Sequence, residues 1–291
     1  MKTILNVLLI FFLFNNPLHS YSQDKLNQSK NELKSGKSKK TNSRASSEER
    51  RSERSERSGR SGRRSTRDDT EITAAVIEAV ARMTLFVTYH SLIGNHKIEE
   101  HFKNDLTDYP YVNSVSSGNY EYLEVSPRKK IRLELENSFL TSFTDIYGNH
   151  LKVKCRASKY FYLQSDYFQL IDTENRDDNN SSLALFNFNL GYDRLRFEKV
   201  NVGWTLGIKY AGSDVKETGA SFGLNMDIFL GKPISLYTSM RWGVINTVPV
   251  NEFELKLKYH KTNHFLSFGY EHAKIGTPNY HFLSAGAGIY L

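Results

Sequence analysis

From Lys129 to Leu291 the chain alternates between apolar and polar positions. Between Ile131 and Glu136 every odd position is apolar and every even position is charged. The same period of two returns around residues 202–210, 222–230, 253–259 and 283–291. Side chains on a strand point alternately to opposite faces, so each segment has one apolar and one polar face. The pattern predicts an all-β, antiparallel domain over residues 129–291.

Ten strand windows can be drawn in this domain, at residues 129–143, 150–158, 160–171, 182–192, 201–211, 218–230, 233–245, 251–260, 264–272 and 279–291. Most are close to the roughly 9–11 residues that a tilted transmembrane strand needs. The connections at 159, 231–233 and 260–263 are tight, whereas the one at 173–181 is long and polar. Outer-membrane barrels have short periplasmic turns and longer external loops, which favours such a barrel. The connection at 193–200 is the exception, because it is long although it lies on the periplasmic side, where short turns are expected.

The alternation, the tight turns and the closing strand resemble those of small Gram-negative outer-membrane β-barrel proteins. Barrels of this kind usually finish on an aromatic residue, whereas here Tyr290 is penultimate and Leu291 is last. The resemblance implies an up-and-down transmembrane β-barrel of about ten strands, within a range of eight to twelve, in the cell outer membrane. We assign to its aromatic girdles the residues near strand ends: Tyr160, Tyr210, Tyr237, Trp242, Tyr259, Tyr270 and Tyr280.

A soluble barrel or sandwich with its apolar face inward would show the same alternation. That alternative places the protein in the periplasm or outside the cell. The N-terminus fits both cases, because residues 1–22 have the organisation of a secretory signal peptide. Lys2 precedes an apolar run from Ile4 to Phe14, and cleavage is expected after Ser22. An exported chain does not meet cytoplasmic nucleic acid.

Residues 23–70 are rich in Ser, Arg, Lys and Glu, and they are predicted to be disordered because they contain almost nothing that can be buried. Residues 24–67 contain 15 Lys or Arg and 6 Asp or Glu, whereas residues 68–291 carry a net charge of −3. The basic character of the chain is therefore a property of this tail. It suggests an anionic polymer or a periplasmic protein as partner, and a solvated linker is the alternative.

An α-helix is predicted over residues 71–93, which are rich in Ala, Val, Leu and Met. Glu78 and Arg82 interrupt its apolar run one turn apart. This favours a helix packed against or plugging the barrel over a helix lying on the membrane surface. Residues 94–128 are predicted to be an irregular linker, in which residues 120–125 have the pattern of a short strand.

The polar faces of the predicted strands carry charges of both signs: Arg132, Glu134, Glu136, Lys152, Lys154, Arg156, Asp227, Arg241, Glu254, Lys256 and Lys258. Side chains fill the lumen of a narrow barrel, so these charges are expected to pair with one another. A transport channel is not predicted, because porins use about 16–18 strands.

No catalytic, cofactor-binding or metal-binding residue is assigned. His260 and His264 flank a tight turn, but two His ligands do not make a metal site, and solvated side chains are expected there. His281 and Ser284 lie three apart, so they face opposite sides of a strand and cannot form a nucleophile–base pair. No phosphate-binding Gly-rich loop, zinc motif or Gly-x-Ser-x-Gly elbow is found. An enzyme is not expected.

The sequence therefore predicts an outer-membrane β-barrel with a structural or binding role. Its contacts would be made by surface loops or by the basic N-terminal arm, in addition to membrane lipid. Two alternatives stay open. One is a secreted soluble β-domain that binds anionic polymer or lipopolysaccharide, and the other is a lipid-modifying barrel enzyme. No cofactor and no oligomeric state is indicated.

Overall fold

A computed structural model describes residues 22–36, 91–95, 98–112, 117–122, 131–142, 146–172, 181–231 and 233–291. Contacts divide the chain into two units, Met1–Gly36 together with Asn104–Leu291, and Lys37–Lys103. Among the described residues, no helix is long and apolar enough to span a membrane.

The first unit contains one α-helix, α1 (Ser22–Ser35), and a small pair of strands, β1 (Asp105–Leu106) and β2 (Tyr120–Glu121). Ten longer strands follow: β3 (Arg132–Thr141), β4 (Ile146–Arg156), β5 (Phe161–Asp172), β6 (Ser182–Arg196), β7 (Val200–Ala211), β8 (Glu217–Phe229), β9 (Ile234–Ile245), β10 (Val248–Lys261), β11 (His264–Ile275) and β12 (Asn279–Tyr290). They form one closed antiparallel barrel. The predicted fold class and all ten strand windows are confirmed.

The barrel closes because its last strand pairs with its first. β12 runs antiparallel to β3 from the pair Tyr290–Glu134 to the pair Leu283–Thr141. Each barrel strand therefore has two neighbours, which removes the unpaired edges that cannot exist in lipid. We call the end where β3 begins and β12 finishes the proximal end, and the opposite end the distal end.

The two faces of the barrel wall differ as the alternation predicts. Large apolar side chains on the outside are exposed, among them Leu163, Phe188, Leu206, Ile208, Leu224, Leu257, Leu266 and Phe268. Two of the tyrosines assigned to the aromatic girdles point inward instead, because Tyr237 and Tyr280 are 2% and 3% exposed. Tyr237 lies an odd number of residues from Trp242, so on one strand the two side chains must face opposite ways.

Three layers fill the inside of the barrel. At the distal end the layer is apolar and includes Leu140, Phe168, Leu185, Val250 and Ile275. The middle layer is charged. At the proximal end the residues around β1 and β2 enter the lumen, with Tyr120 fully buried. The linker predicted over residues 94–128 therefore contains an ordered plug, and its predicted short strand is β2.

The helix α1 covers the distal layer. Leu26, Ser29 and Leu33 are fully buried and lie on one face, since they are three and four residues apart. The first part of the segment predicted to be disordered is thus a helix, and its two leucines are what permit it to dock. The rest of that segment, residues 37–70, lies outside the described residues, as do residues 71–90 of the predicted helix.

Few residues of the second unit are described. They include a 3-10 helix, Glu100–Lys103, in which Phe102 is buried. The His101 Nε2 atom lies 3.0 Å from Glu99 Oε2 just before it.

Candidate functional site

The charged middle layer of the lumen is the most distinctive group of polar side chains in the described chain. Its members are eight basic residues, Arg132, Lys152, Lys154, Arg156, Lys209, Arg241, Lys256 and Lys258, and eight acidic ones, Glu134, Glu136, Asp166, Asp193, Asp227, Glu252, Glu254 and Glu271. These named residues carry eight charges of each sign, and Arg196 adds one more buried basic group near the proximal end. Burying a charge is costly unless it is paired, and the presence of both signs permits such pairs.

Several of the ion pairs bridge strands that are not neighbours in the wall. Lys152 Nζ on β4 lies 2.6 Å from Glu254 Oε2 on β10. Arg241 on β9 reaches Asp166 on β5 at 3.2 Å. Lys256 Nζ on β10 lies 3.2 Å from Glu136 Oε1 on β3, and it also lies 2.9 Å from Glu271 Oε1 on the neighbouring strand β11. These distances span the inside of the barrel, so the ion pairs fill its cross-section rather than line an open pore.

Aromatic rings complete the packing of the layer. Lys152, Lys154 and Lys258 lie 4.7, 5.4 and 5.0 Å from the ring centroid of Tyr237. A cation over an aromatic face is stabilised by the ring quadrupole. A Cβ atom at position 191 would overlap the ring of Tyr162, which accounts for Gly191 at this position.

One cluster in this layer has the residue types of a cation site. His150, Glu254 and Glu271 place ligand atoms within 4.8 Å of one another. The same carboxylates, however, already contact Lys152 and Lys256. The His150 Nδ1 atom also lies 2.7 Å from Glu271 Oε2. Two ammonium groups already pair with these carboxylates, so the cluster fits an ion-pair network better than a metal site.

The proximal plug is fixed by polar contacts to the barrel. The Tyr120 hydroxyl donates to Asp193 Oδ2 at 2.5 Å, and Arg132 Nη2 donates to Asn119 Oδ1 at 2.6 Å. The Tyr111 hydroxyl donates to the Ile234 carbonyl at 2.5 Å. Burial raises the pKa of Tyr111 to about 12. Burial and then the charge of Asp193 raise the pKa of Tyr120 well above its ordinary value.

Beside this plug lies a cleft of about 410 Å³ at the proximal rim. It is lined by Asp108, Tyr109, Ile131, Arg132, Thr262, Asn263, Tyr290 and Leu291. Arg132 also lies 5.2 Å from the ring centroid of Tyr290. The cleft gathers no set of nucleophile, base and oxyanion donors.

The histidines considered from the sequence do not form a site. His260 is buried, with its Nε2 atom 2.7 Å from Ser235 Oγ, whereas His264 is exposed on the outer face. The expectation that both are solvated is therefore wrong for His260. Lys261 is the cross-strand partner of His264, and both are exposed on the outer face. His260 directly precedes Lys261, so its side chain faces inward. Ser284 is buried inside and His281 is exposed outside, as strand alternation predicts.

The lumen groups that the sequence analysis did not assign include His150, Asp166, Asp193, Lys209, Glu252 and Glu271. Their strands mix charged residues with Asn, Gln, Ser and Tyr on the inner face, which hides the alternation of charge. Counting positions of one parity along each window would have placed Asp166 beside Gln164 on the inner face.

The apolar outer surface of the barrel indicates that the barrel lies in a membrane. Phe268, Leu266 and Phe188 are each more than 60% exposed, and they belong to a band of similar residues around the wall. An apolar band of this kind would be an aggregation hazard in water, but it is what a transmembrane barrel presents to lipid. The sole cysteine, Cys155, lies on this outer face as a half-buried side chain.

No protein-family model matches the chain, and no curated protein does. Among solved structures it is similar to the N-terminal β-barrel domain of Pseudomonas aeruginosa OprF, at 14% identity and a TM-score of 0.28, over 55% of this chain and 97% of that one. The Yersinia pestis attachment invasion locus protein Ail is also similar, at 14% identity and a TM-score of 0.27, over 55% and 96%. The KdgM porin gives 12% identity and a TM-score of 0.34, over 54% and 98%.

The closed topology and the lipid-compatible exterior of this chain together make it an outer-membrane-type β-barrel protein.

Proposed function

We propose that the protein is a sealed, non-catalytic barrel that anchors a basic N-terminal arm in the outer membrane, and that this arm binds anionic polymer. The observation that carries the proposal is the filled lumen. A barrel whose cross-section is occupied by paired charges offers no path for solutes. We therefore assign its function to binding at the surface.

The way α1 is attached supports an anchoring role. Ser29 Oγ donates to the Ile275 carbonyl at 2.9 Å, and Asn246 Nδ2 donates to the Leu33 carbonyl at 2.9 Å. The chain that leaves this helix after Gly36 is strongly basic, because residues 37–67 contain 12 Lys or Arg and 4 Asp or Glu. A folded barrel thus holds one end of a polycationic segment.

A segment of this composition binds polyanions mainly through release of counterions. Its affinity should fall steeply with salt and depend little on the sequence or stereochemistry of the polymer. No lumen residue takes part, so substitutions inside the barrel should change stability without changing binding.

The test uses the full mature chain in vesicles of neutral phosphatidylcholine, with fluorescent inorganic polyphosphate as probe. One variant replaces seven arginines by Gln, at positions 50, 51, 54, 57, 60, 63 and 64. The matched control replaces seven serines by Asn, at positions 46, 47, 52, 55, 58, 61 and 65. We expect salt-dependent binding by the native chain and the Asn variant, and a loss of most binding in the Gln variant. Equal binding by the Gln variant, or none by the native chain, would refute the role of the arm.

A further inference from the structure

Arg132 is a buried cation that contacts no carboxylate. It is 2% exposed, and no acidic group of the described residues lies within 4.0 Å of its guanidinium nitrogens. Nη1 donates to the Thr107 carbonyl at 3.2 Å and Nη2 donates to Asn119 Oδ1 at 2.6 Å, and both acceptors are neutral. Glu134, two residues further along β3, contacts Lys258 instead. The charge of Arg132 therefore has no counter-ion in contact.

The Nε atom of Arg132 also lacks a hydrogen-bond acceptor in the described part of the chain. Arg156 and Arg241 leave Nε unpaired as well, but each contacts a carboxylate, at 3.5 Å from Asp193 and at 3.2 Å from Asp166. A buried donor without an acceptor costs free energy, and a bound ion is one of the explanations for it in a folded protein. Arg132 thus combines a free donor with an uncompensated charge.

This side chain lines the cleft of about 410 Å³ at the proximal rim. Ile131 and Leu291 line the same cleft and are 71% and 61% exposed. Their chain neighbours, Arg132 and Tyr290, are buried inside, so strand alternation turns Ile131 and Leu291 toward the outer face of the wall. The cleft therefore has a buried cation on its inner side and exposed apolar side chains on the side of the membrane.

We propose that the proximal cleft binds one anionic amphiphile, with an oxyanion headgroup such as phosphate against Arg132 and an apolar chain over Ile131 and Leu291. The oxyanion supplies the missing opposite charge and accepts the free Nε donor, as arginine commonly does with phosphate. The apolar chain covers side chains that would otherwise meet water at the rim. A membrane phospholipid and a free single-chain amphiphile share this chemistry. The site is separate from the basic arm and does not depend on what the arm binds.

Calorimetric titration of the full mature chain in dodecyl maltoside micelles tests the site. The chain carries the seven Arg-to-Gln substitutions described above, so that the basic arm does not bind the probes. The probes are dioleoyl phosphatidic acid for a membrane lipid, dodecyl phosphate for a free amphiphile, and inorganic phosphate for the headgroup alone. The buffer anion is chloride, and the heat of titrating each probe into empty micelles is subtracted. Every variant is first checked for a heat-dependent shift in gel mobility, so that only folded protein is compared.

Two substitutions change the charge of the cleft in opposite directions. Arg132→Gln should weaken amphiphile binding roughly tenfold or more, because a charge-assisted hydrogen bond is lost. Asp108, exposed in the cleft, opposes an anion. We therefore expect Asp108→Asn to strengthen binding about two- to fivefold.

Tyr111→Phe is the control for a loosened plug, because Arg132→Gln also removes contacts to the plug. The Tyr111 hydroxyl holds the plug to the Ile234 carbonyl and is not part of the cleft lining. This variant should bind the amphiphile as the parent chain does. An equal loss in Tyr111→Phe and Arg132→Gln would assign the loss to the plug and overturn the role of Arg132.

Binding of one molecule of either amphiphile, lost in Arg132→Gln, supports the site, and the tighter of the two identifies the source. No binding of either amphiphile, or equal binding by Arg132→Gln, would overturn it. Weaker binding by Asp108→Asn would show that the cleft prefers a cation and would also overturn it. Inorganic phosphate that binds as tightly as dodecyl phosphate would overturn the contribution of the apolar chain.

Discussion

Lys152 and Glu254 meet across the inside of the barrel, with Nζ and Oε2 2.6 Å apart. Their strands, β4 and β10, are separated on the shorter side of the wall by β11, β12 and β3. The contact therefore ties together parts of the wall that share no backbone hydrogen bonds. It is one member of a network that makes the lumen a packed interior.

Removing one partner of this pair should destabilise the barrel strongly. Lys152→Met leaves the Glu254 carboxylate buried with less compensation, and we expect a loss of about 3–5 kcal/mol in the free energy of unfolding. Urea titration in detergent micelles, followed by gel mobility, measures the change. Lys261→Met, at an exposed proximal position, is the control and should change stability by less than about 0.5 kcal/mol.

Adding Glu254→Met to Lys152→Met should restore part of the loss, because the uncompensated charge is removed with its partner. A double variant whose destabilisation equals the sum of the two single variants would show that the contact contributes nothing specific.

The filled lumen predicts that the protein does not conduct ions. In planar lipid bilayers the full chain should give no steady channel openings. Deleting residues 23–36 removes α1 from the distal layer, yet the bilayer should stay non-conducting because the charged middle layer still fills the lumen. Steady conductance by the native chain would contradict the filled lumen. Conductance that appears only after the deletion would show that α1 alone closes the lumen.

Docking of α1 depends on two buried leucines. Leu33→Asp removes about 1.5–3 kcal/mol of apolar burial and introduces a charge over the distal layer. Trypsin should then cleave after Lys30 and Lys34 roughly tenfold faster or more. Asn31→Asp adds the same charge on the exposed side of the helix and should leave the cleavage rate unchanged. Equal rates in the native chain and Leu33→Asp would mean that the helix is not held by this face.

Alkaline pH should loosen the proximal plug. The folded-state pKa of Tyr111 is raised to about 12, above that of an exposed tyrosine near 10. A raised folded-state pKa gives stability that is complete below pH 10 and is lost as the pH rises from about 10 to 12. We expect Tyr111→Phe to reduce this alkaline loss relative to the native chain, as measured by urea midpoints at pH 9 and pH 11. Urea midpoints that fall equally with pH in the two proteins would contradict ionisation of the Tyr111 hydroxyl as a cause of the alkaline loss.

The strands of the barrel wall could be predicted from the sequence more fully than the side-chain contacts inside the barrel. Alternation located all ten strands, because a strand that faces lipid on one side and a polar lumen on the other must repeat every two residues. The placement of Arg132, Lys152 and Glu254 inside follows from the same parity. Which charge meets which could not be predicted, since the partners lie on strands whose distance across the barrel depends on closure and tilt.

The docking of α1 and that of the proximal plug escaped prediction for different reasons. The helix α1 has only Leu26 and Leu33 as apolar anchors in a polar segment, so its docking depends on a surface that exists only once the barrel has formed. The proximal plug has little regular secondary structure, and Tyr120 is held by tertiary contacts to Asp193 rather than by a periodic pattern. Composition describes such segments poorly, because a few specific contacts decide their structure.

The most direct test of the account is the gel mobility of the outer-membrane fraction in detergent, with and without boiling. A closed transmembrane barrel has every strand edge paired, so it should stay folded in the detergent until it is heated. We predict that the protein is found in the outer-membrane fraction and that its band shifts on boiling. A protein recovered from the soluble periplasm or the medium, with no shift on boiling, would contradict the membrane barrel.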